Sequence, residues 1–408
     1  MSKTSERAGA VRGPRKNPAR KSSLLGSAAL LGVLIIVAAL AYRSVRSSSP
    51  MPVSSAPLQS NVLAAQPASP PAVAPPSEIP TDSRQLLATL AALDGKEPVT
   101  AAQAEKWKES LRQLIHQGAS SVQSIQRFLA QNLDANYAGV SGADQLGYNS
   151  LRSALLDALI QIGGPEATAA MLQTLQSSIF PTDIATIAKA LEAQSPGQFQ
   201  QDILNAVRQQ LSLAALDQLG DANVRPLFQV LANLGAAGAG VAGDLAQYAE
   251  KWPYYTTIVL ATLPNNAGAP ALIQISQGAL AGNQTIAGQG LAEIAPQNPD
   301  ASNALITLVK SGQLNDASVA QLAPFLGGRQ YQLAPPPNPA APGYLTFHMS
   351  VGNQDFSAHD SDAINPVQLT QRISLIGQVL AVTPQADVTA QDALQQQKDA
   401  LTARQSSH

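Results

Sequence analysis

The sequence predicts an all-α protein: an N-terminal transmembrane helix, a Pro/Ala-rich linker, an α-solenoid of stacked helical hairpins and a small C-terminal tail. An irregular helical bundle is the alternative to the solenoid. Three observations carry this reading. A single apolar run near the N-terminus has the length of a bilayer span. Beyond it, apolar residues recur at three-and-four spacing, with Gly or Pro breaking the pattern. One phrase, an apolar stripe, a short turn and a second stripe, returns along the chain.

The apolar run occupies residues 23–42 and extends from Leu24 to Tyr42 without a charge. At about 1.5 Å per residue such a helix reaches about 28 Å, which matches the ~30 Å hydrocarbon core of a bilayer. Lys3, Arg7, Arg12, Arg15, Lys16, Arg20 and Lys21 precede it, opposed only by Glu6, whereas Arg43 and Arg46 follow it closely. This asymmetry places the basic leader, residues 1–22, in the cytoplasm and the rest of the chain across the membrane. The expected location is a bacterial inner membrane, crossed once, with a periplasmic or extracytoplasmic C-terminal domain and the lipid bilayer around residues 23–42. Ala39, Leu40 and Ala41 form a small-x-small end suited to a signal peptidase, so cleavage is the competing reading. The long leader and the long apolar stretch favour an uncleaved signal-anchor.

The chain holds 25 basic and 27 acidic side chains. With the basic leader set aside the remainder is acidic, which argues against nucleic acid as a partner, because neutralising phosphates requires a concentrated basic surface. There is no Cys, so stability in an oxidising compartment owes nothing to disulfides.

Residues 43–82 form the linker. Prolines from Pro50 to Pro80 among Ala and Ser preclude helix and leave too little apolar surface for a core. As flexible coil it reaches about 35 Å, and as extended polyproline II up to about 120 Å. The helical-repeat domain, residues 83–330, then begins at Ser83, an expected N-cap before Leu86, Leu87, Leu90 and Leu93. Thr100 with Gln103 has the spacing of a capping box ahead of Ala104, Trp107, Leu111, Leu114 and Ile115.

The clearest unit is the helical hairpin from Leu151 to Ile179. Leu151, Ala154, Leu155, Ala158, Leu159 and Ile162 form one stripe, Gly163, Gly164 and Pro165 turn the chain, and Thr168, Met171, Leu172 and Leu175 form the second. Gly accepts the positive φ that ends a helix, Pro165 suits the first turn of the next, and Glu166 complements that helix N-terminus. Similar phrases surround Leu216–Phe228, Leu260–Ile273 and Leu291–Val309, and the helix ends marked by Leu234, Leu263 and Ile294 fall roughly thirty residues apart, the period of stacked helical hairpins. Between Leu219 and Leu234 the spacing shortens, so a helix is missing there or the register slips.

The segment Ala158-Leu159-Ile160-Gln161-Ile162-Gly163-Gly164-Pro165-Glu166-Ala167 resembles the short HEAT-like repeat of the armadillo-type superfamily. The resemblance covers about Leu151 to Leu326 and implies a HEAT-like solenoid. The layout of a tethered helical ectodomain behind an Ala/Pro-rich spacer is also similar to that of the membrane-anchored lipase foldases. Their Arg-x-x-Phe-Asp-Tyr signature is absent, the nearest fragment being Arg127-Phe128-Leu129.

A Pro-rich linker, residues 331–343, ends the helices, and residues 344–408 are read as a partly disordered C-terminal segment. Tyr344–Val351 alternates like one short strand and has no evident partner, which suggests addition to another protein's sheet. Val367, Ile373, Ile376 and Leu380 suggest one helix, with a weaker one from Val388 to Arg404.

Chemistry-bearing motifs are scarce. The chain has 4 His, at positions 116, 348, 359 and 408, and neither HExxH, a phosphate-binding Gly-Lys-Ser/Thr loop nor a thiol. No catalytic residue, cofactor or metal is therefore expected. Asp355, His359, Asp360 and Asp362 crowd one stretch, but their spacing fits no metal loop and reads as a solvated polar segment. Glycines from Gly235 to Gly243 follow no strand and read as close helix packing. In a chain with 4% aromatics, Tyr248, Trp252, Tyr254 and Tyr255 stand together; core packing at an irregular hairpin is the favoured reading, and they are candidate partner-contact residues as the alternative. The expected role is a non-catalytic, membrane-anchored scaffold or adaptor for envelope or secreted proteins. The alternative is a membrane-tethered folding or export chaperone for a secreted client, and behind it an envelope-polymer hydrolase using acids such as Glu192 or Asp202.

Overall fold

The computed structural model describes residues 81–333, 346–360 and 364–406. The leader, the apolar run at 23–42, nearly all of the linker and most of the proline-rich stretch at 331–343 lie outside them. Among the described residues no helix is long and apolar enough to cross a membrane. The fold is predominantly helical.

Helices α1 (Thr81–Ala91), α2 (Ala101–His116) and α3 (Ala119–Leu129) open the domain. The capping box is formed: Thr100 accepts from the backbone of Gln103, whose side chain accepts from the backbone of Thr100. Ser83, in contrast, lies inside the first turn of α1 and is buried, its hydroxyl donating to Gln117 at the end of α2. Trp107 of α2 is buried and donates its indole N–H to Leu90 O at 3.2 Å. Tyr137 packs edge-on against the Trp107 ring at 6.0 Å and donates to Leu93 O.

Helices α4 (Leu151–Ile162), α5 (Gly164–Ser177), α6 (Pro181–Gln194) and α7 (Gln200–Ala215) follow. Gly163 takes φ 62 between α4 and α5, with Pro165 and Glu166 in the first turn of α5, as the sequence leads one to expect. The sequence gives no warning of Arg152 on the buried face of α4. Its guanidinium donates to Asp183 Oδ2 at 2.9 and 2.5 Å and to Leu129 O at 2.9 Å, and stands 4.5 Å over the Phe180 ring. Ser178 donates to the same carboxylate oxygen, so the pair ties α4 to the loop before α6. Burial holds the Asp183 carboxyl above its ordinary value although Arg152 pulls the other way.

The slip anticipated between Leu219 and Leu234 is a change of element lengths. Helix α7 stops at Ala215, Leu216–Val224 forms a loop with Asp217 at φ 58, and α8 (Arg225–Asn233) is followed by the one-turn helices α9 (Ala236–Ala239) and α10 (Ala242–Ala246). Close packing accounts for one of the glycines expected to serve it: a Cβ on Gly238 would lie 2.5 Å from Leu231 O, whereas Gly235 takes φ 52 and a Cβ on Gly235 or Gly243 would meet nothing within 4 Å. The helices then lengthen again as α11 (Pro253–Thr262), α12 (Ala269–Ser276), α13 (Ala281–Ile294) and α14 (Pro299–Lys310), before the short α15 (Asp316–Ala320) and α16 (Ala323–Leu326).

Most helices touch their successor and most touch the helix after that, which sorts them into two layers: α2, α4, α6, α8, α11 and α13 in one, and α1, α3, α5, α7, the α9–α10 pair, α12 and α14 in the other. Hydrogen bonds between the first units span more residues, 45 from Asn132 to Ser177 and 47 from Gln126 to Gln173, and from Ser178 onward they recur at shorter and nearly constant separation. Gln210 to Ser178 spans 32 residues, Lys251 to Ala214 37, Asn283 to Ala249 34, Thr285 to Ser318 33 and Gln289 to Gln321 32.

The described residues beyond 330 are integrated into this body, where the sequence reading expects a partly disordered C-terminal segment at 344–408; residues 334–345, 361–363 and 407–408 lie outside the described residues. Strands β1 (Arg329–Gln332), β2 (Thr346–Val351) and β3 (Gln354–Asp360) form an antiparallel sheet of order β1-β3-β2, so β1 straddles the expected boundary at 330. The partner of the expected strand is β3, with Val351 opposite Gln354 across a turn at Gly352, where φ is 62. Helix α17 (Pro366–Val382) starts with a capping box of Asn365 and Gln368 and buries Leu369, Leu375, Ile376 and Val379, while Val367, expected on that stripe, is exposed. Helix α18 (Val388–Ser406) packs on α17 through Ala390, Leu394 and Leu401. Arg372 of α17 is buried and donates to Phe325 O and Leu326 O, closing the carbonyl end of α16.

Candidate functional site

The aromatic cluster singled out in the sequence is an internal junction. Trp252 immediately precedes α11 and is 2% exposed; Tyr255 is 1% and Tyr248 8%. Trp252 meets Phe228 edge-on at 5.8 Å and Tyr248 at 5.9 Å, and Tyr255 packs on Phe228 at 5.4 Å. Tyr254, half-buried, stacks on Phe356 of β3 at 4.4 Å and meets Tyr331 of β1 edge-on. Three of the four rings are thus withdrawn from any outside partner, and the fourth faces the chain's own sheet. Tyr254 seats the β-hairpin on α11, whereas Trp252 and Tyr255 close around Phe228 of α8.

Polar groups fix that seat. Proline at the first turn and Trp252 at the cap leave the N-terminus of α11 without a local side-chain acceptor. Gln354, in the hairpin, supplies one: its Oε1 accepts from Tyr254 N at 3.1 Å and Tyr255 N at 3.2 Å. Tyr255 Oη in turn accepts from Asp355 N at 2.8 Å. A residue about a hundred positions away therefore caps the helix, a relation that no local pattern in the sequence reveals.

Beneath the sheet, Tyr331 Oη donates to Gln289 at 3.0 Å, and Glu293, on the same helix as Gln289, accepts from the backbone N–H of Tyr331. Burial pushes the Glu293 carboxyl up to about 8, against the opposing pull of that hydrogen bond and of Arg372. Burial likewise raises the phenols of Tyr254, Tyr255 and Tyr331.

The stretch Asp355 to Asp360 is strand rather than polar loop. Its alternation sends neighbours to opposite faces, Asp360 pairs with Arg329 at 2.7 Å, His359 is buried beside Gln332, and Asp362 lies outside the described residues. Among the described residues no group of three or more His, Cys, Asp or Glu is placed to hold a metal ion. Glu192 accepts from Gly197 N at 3.0 Å and lines a cleft of about 310 Å³ between α6 and α8, with Lys189 on the same wall; Asp202 does not share that cleft.

A different surface was missed in the sequence. Among the described residues seven large hydrophobics are exposed, and Leu133, Ile179, Leu216 and Leu280 share one structural position: each lies in the loop after a second-layer helix, namely α3, α5, α7 and α12. Cross-bonds join these loops side by side. Asn132 donates to Ser177 O at 3.2 Å, Lys251 to Ala214 O at 2.7 Å, and Asn283 to Ala249 O at 3.1 Å. Exposed charge along this rim is acidic, from Asp134, Asp217, Asp221 and Glu250, and the Lys251 ammonium is already engaged with Asp217. The signal that could have found the rim is the placement of single aliphatic residues just beyond helix ends in otherwise polar turns. Comparison of the chain with protein-family models, curated proteins and solved structures found no match.

Proposed function

We propose that this chain is a single-pass inner-membrane scaffold whose ectodomain, a HEAT-like solenoid, binds another envelope or secreted protein along the rim that carries Leu133, Ile179, Leu216 and Leu280. The observation that carries the reading is the recurrence, from Ser178 onward, of unit-to-unit hydrogen bonds at separations of 32–37 residues, because stacked units of that length create an extended surface with equivalent positions side by side. An array of aliphatic side chains among acidic groups suits a partner that presents apolar side chains flanked by Lys or Arg. The apolar run at 23–42 supports membrane confinement, and the proline-rich linker gives the ectodomain reach while raising its effective concentration near a membrane-proximal partner.

Photocrosslinking in intact cells tests this reading. A crosslinkable amino acid at position 179 or 216 is expected to give one dominant protein adduct, and the same group at exposed position 120, in the first turn of α3, is expected not to. Equal labelling from both, or none from the rim, would remove the proposal.

A further inference from the structure

A cleft of about 550 Å³ lies between the first turns of α14 and the outer face of α17. Its chemistry differs from that of three other clefts. Those carry Lys189 and Glu192, Glu250, or Lys106. This one has no ionisable side chain on its walls, and its polar lining is led by Gln297, Asn298, Asn303, Gln371, Ser374 and Gln378. Pro296, Pro299 and the buried Leu375 supply apolar patches between the amides.

The walls are held in place. Asn298 Oδ1 caps α14 by accepting from Ala301 N at 3.0 Å, which leaves its NH₂ directed to other partners. Ser302 is fixed to Ala295 O at 2.6 Å, and Gln405 of α18 donates to Thr370 at the edge of the groove. Both walls are helices, so the amides present a fixed array.

Each primary amide offers two donors and an acceptor with two lone pairs. Such groups match hydroxyls, which both donate and accept, and match phosphate or carboxylate poorly, since those call for cationic donors. Proline rings complement the C–H face of a saccharide ring. An extended peptide would need either a free strand edge or apolar side-chain pockets, and this groove, walled by two helices and lined with amides, provides neither. The volume falls within the usual range of about 300–1,000 Å³ for small-molecule sites.

We infer that the groove between α14 and α17 binds a short run of an uncharged glycan. The inference stands apart from the scaffold reading, because it concerns another face of the molecule and does not need the rim.

The test uses the full chain in phosphatidylcholine nanodiscs, titrated calorimetrically with chitotetraose and with maltotetraose, and with a neutral Ala/Gln peptide as the alternative ligand. At least one oligosaccharide is expected to bind. The double variant Asn303→Ala/Gln371→Ala, at two exposed positions, is expected to weaken it by about tenfold, as two hydrogen bonds of about 0.5–1.5 kcal/mol each imply. Gln229→Ala, in the cleft between α6 and α8, is expected to leave it unchanged. Absence of binding to both sugars, binding indifferent to the double variant, or binding of the peptide in place of the sugars would each overturn the inference.

Discussion

Gln354→Leu is the sharpest probe of how the sheet and the helices are joined. The substitution keeps volume and removes the acceptor that caps α11. Two backbone donors, Tyr254 N and Tyr255 N, then lose their partner, and Tyr255 is fully buried. Loss of an N-cap costs about 0.5–2 kcal/mol, and a stranded buried donor about 1–3 kcal/mol. Tyr254 is only half-buried, so its N–H can be rehydrated, and a net cost of about 2–3 kcal/mol is expected. Hydrogen exchange reads the effect locally: the amides of Tyr254 and Tyr255 are expected to exchange about 30- to 150-fold faster, at about 1.4 kcal/mol per factor of ten. Strand β3 is expected to loosen with them, while the remote Arg152 node keeps its protection. Unchanged exchange at both tyrosines would refute the argument that Gln354 caps α11 from a distance.

Four further outcomes follow from the same geometry. Glu293 is held above its ordinary value, up to about 8, so the folded state prefers its neutral form. Its contribution is complete below the unfolded-state value near 4.5 and is lost as pH rises to about 8. Urea unfolding of Glu293→Gln is therefore expected to lose a pH slope worth at most about 5 kcal/mol over that window; a slope identical to that of the parent chain would contradict the assignment. Asp183→Ala is expected to cost about 3–5 kcal/mol by stranding the Arg152 guanidinium, whereas Arg152→Met with Asp183→Leu together cost less than Asp183→Ala alone, as chemical denaturation can show. Gly238→Ala is expected to cost about 1–3 kcal/mol in the same assay, because the added methyl meets Leu231 O. The absence of native Cys makes topology easy to read: Ser5→Cys is expected to resist a membrane-impermeant maleimide in spheroplasts and Ser55→Cys to react.

Local patterns in the sequence report local structure well in this chain. The capping box at Thr100, the Gly163–Pro165 turn and the stripes of α4 and α5 depend on residues within a few positions of one another, and all appear in the fold. What escaped was set by distant contacts. Strand β3, Gln-Asp-Phe-Ser-Ala-His-Asp, alternates too weakly to announce itself, yet it becomes the middle strand because Phe356 stacks on Tyr254 and Gln354 caps α11. Arg152 and Arg372 look like solvent-facing charges by composition, but carbonyls and one carboxylate gathered from other elements accept hydrogen bonds from them in the core. The aromatic group at Trp252 was recognisable as a contact surface; its occupant, the hairpin about a hundred residues later, was not. Leu133, Ile179, Leu216 and Leu280 escaped for the opposite reason, since each is isolated in sequence and becomes a set only when the loops are stacked.

The most direct test of the scaffold reading is site-resolved photocrosslinking around the whole helical domain in intact cells. Adducts to one protein are expected from positions 133, 179, 216 and 280, and their loss on Ile179→Asp with Leu216→Asp, while folding, followed by exchange protection of the core, is retained. Adducts that come mainly from the opposite edge, or that persist undiminished in the double variant, would contradict it.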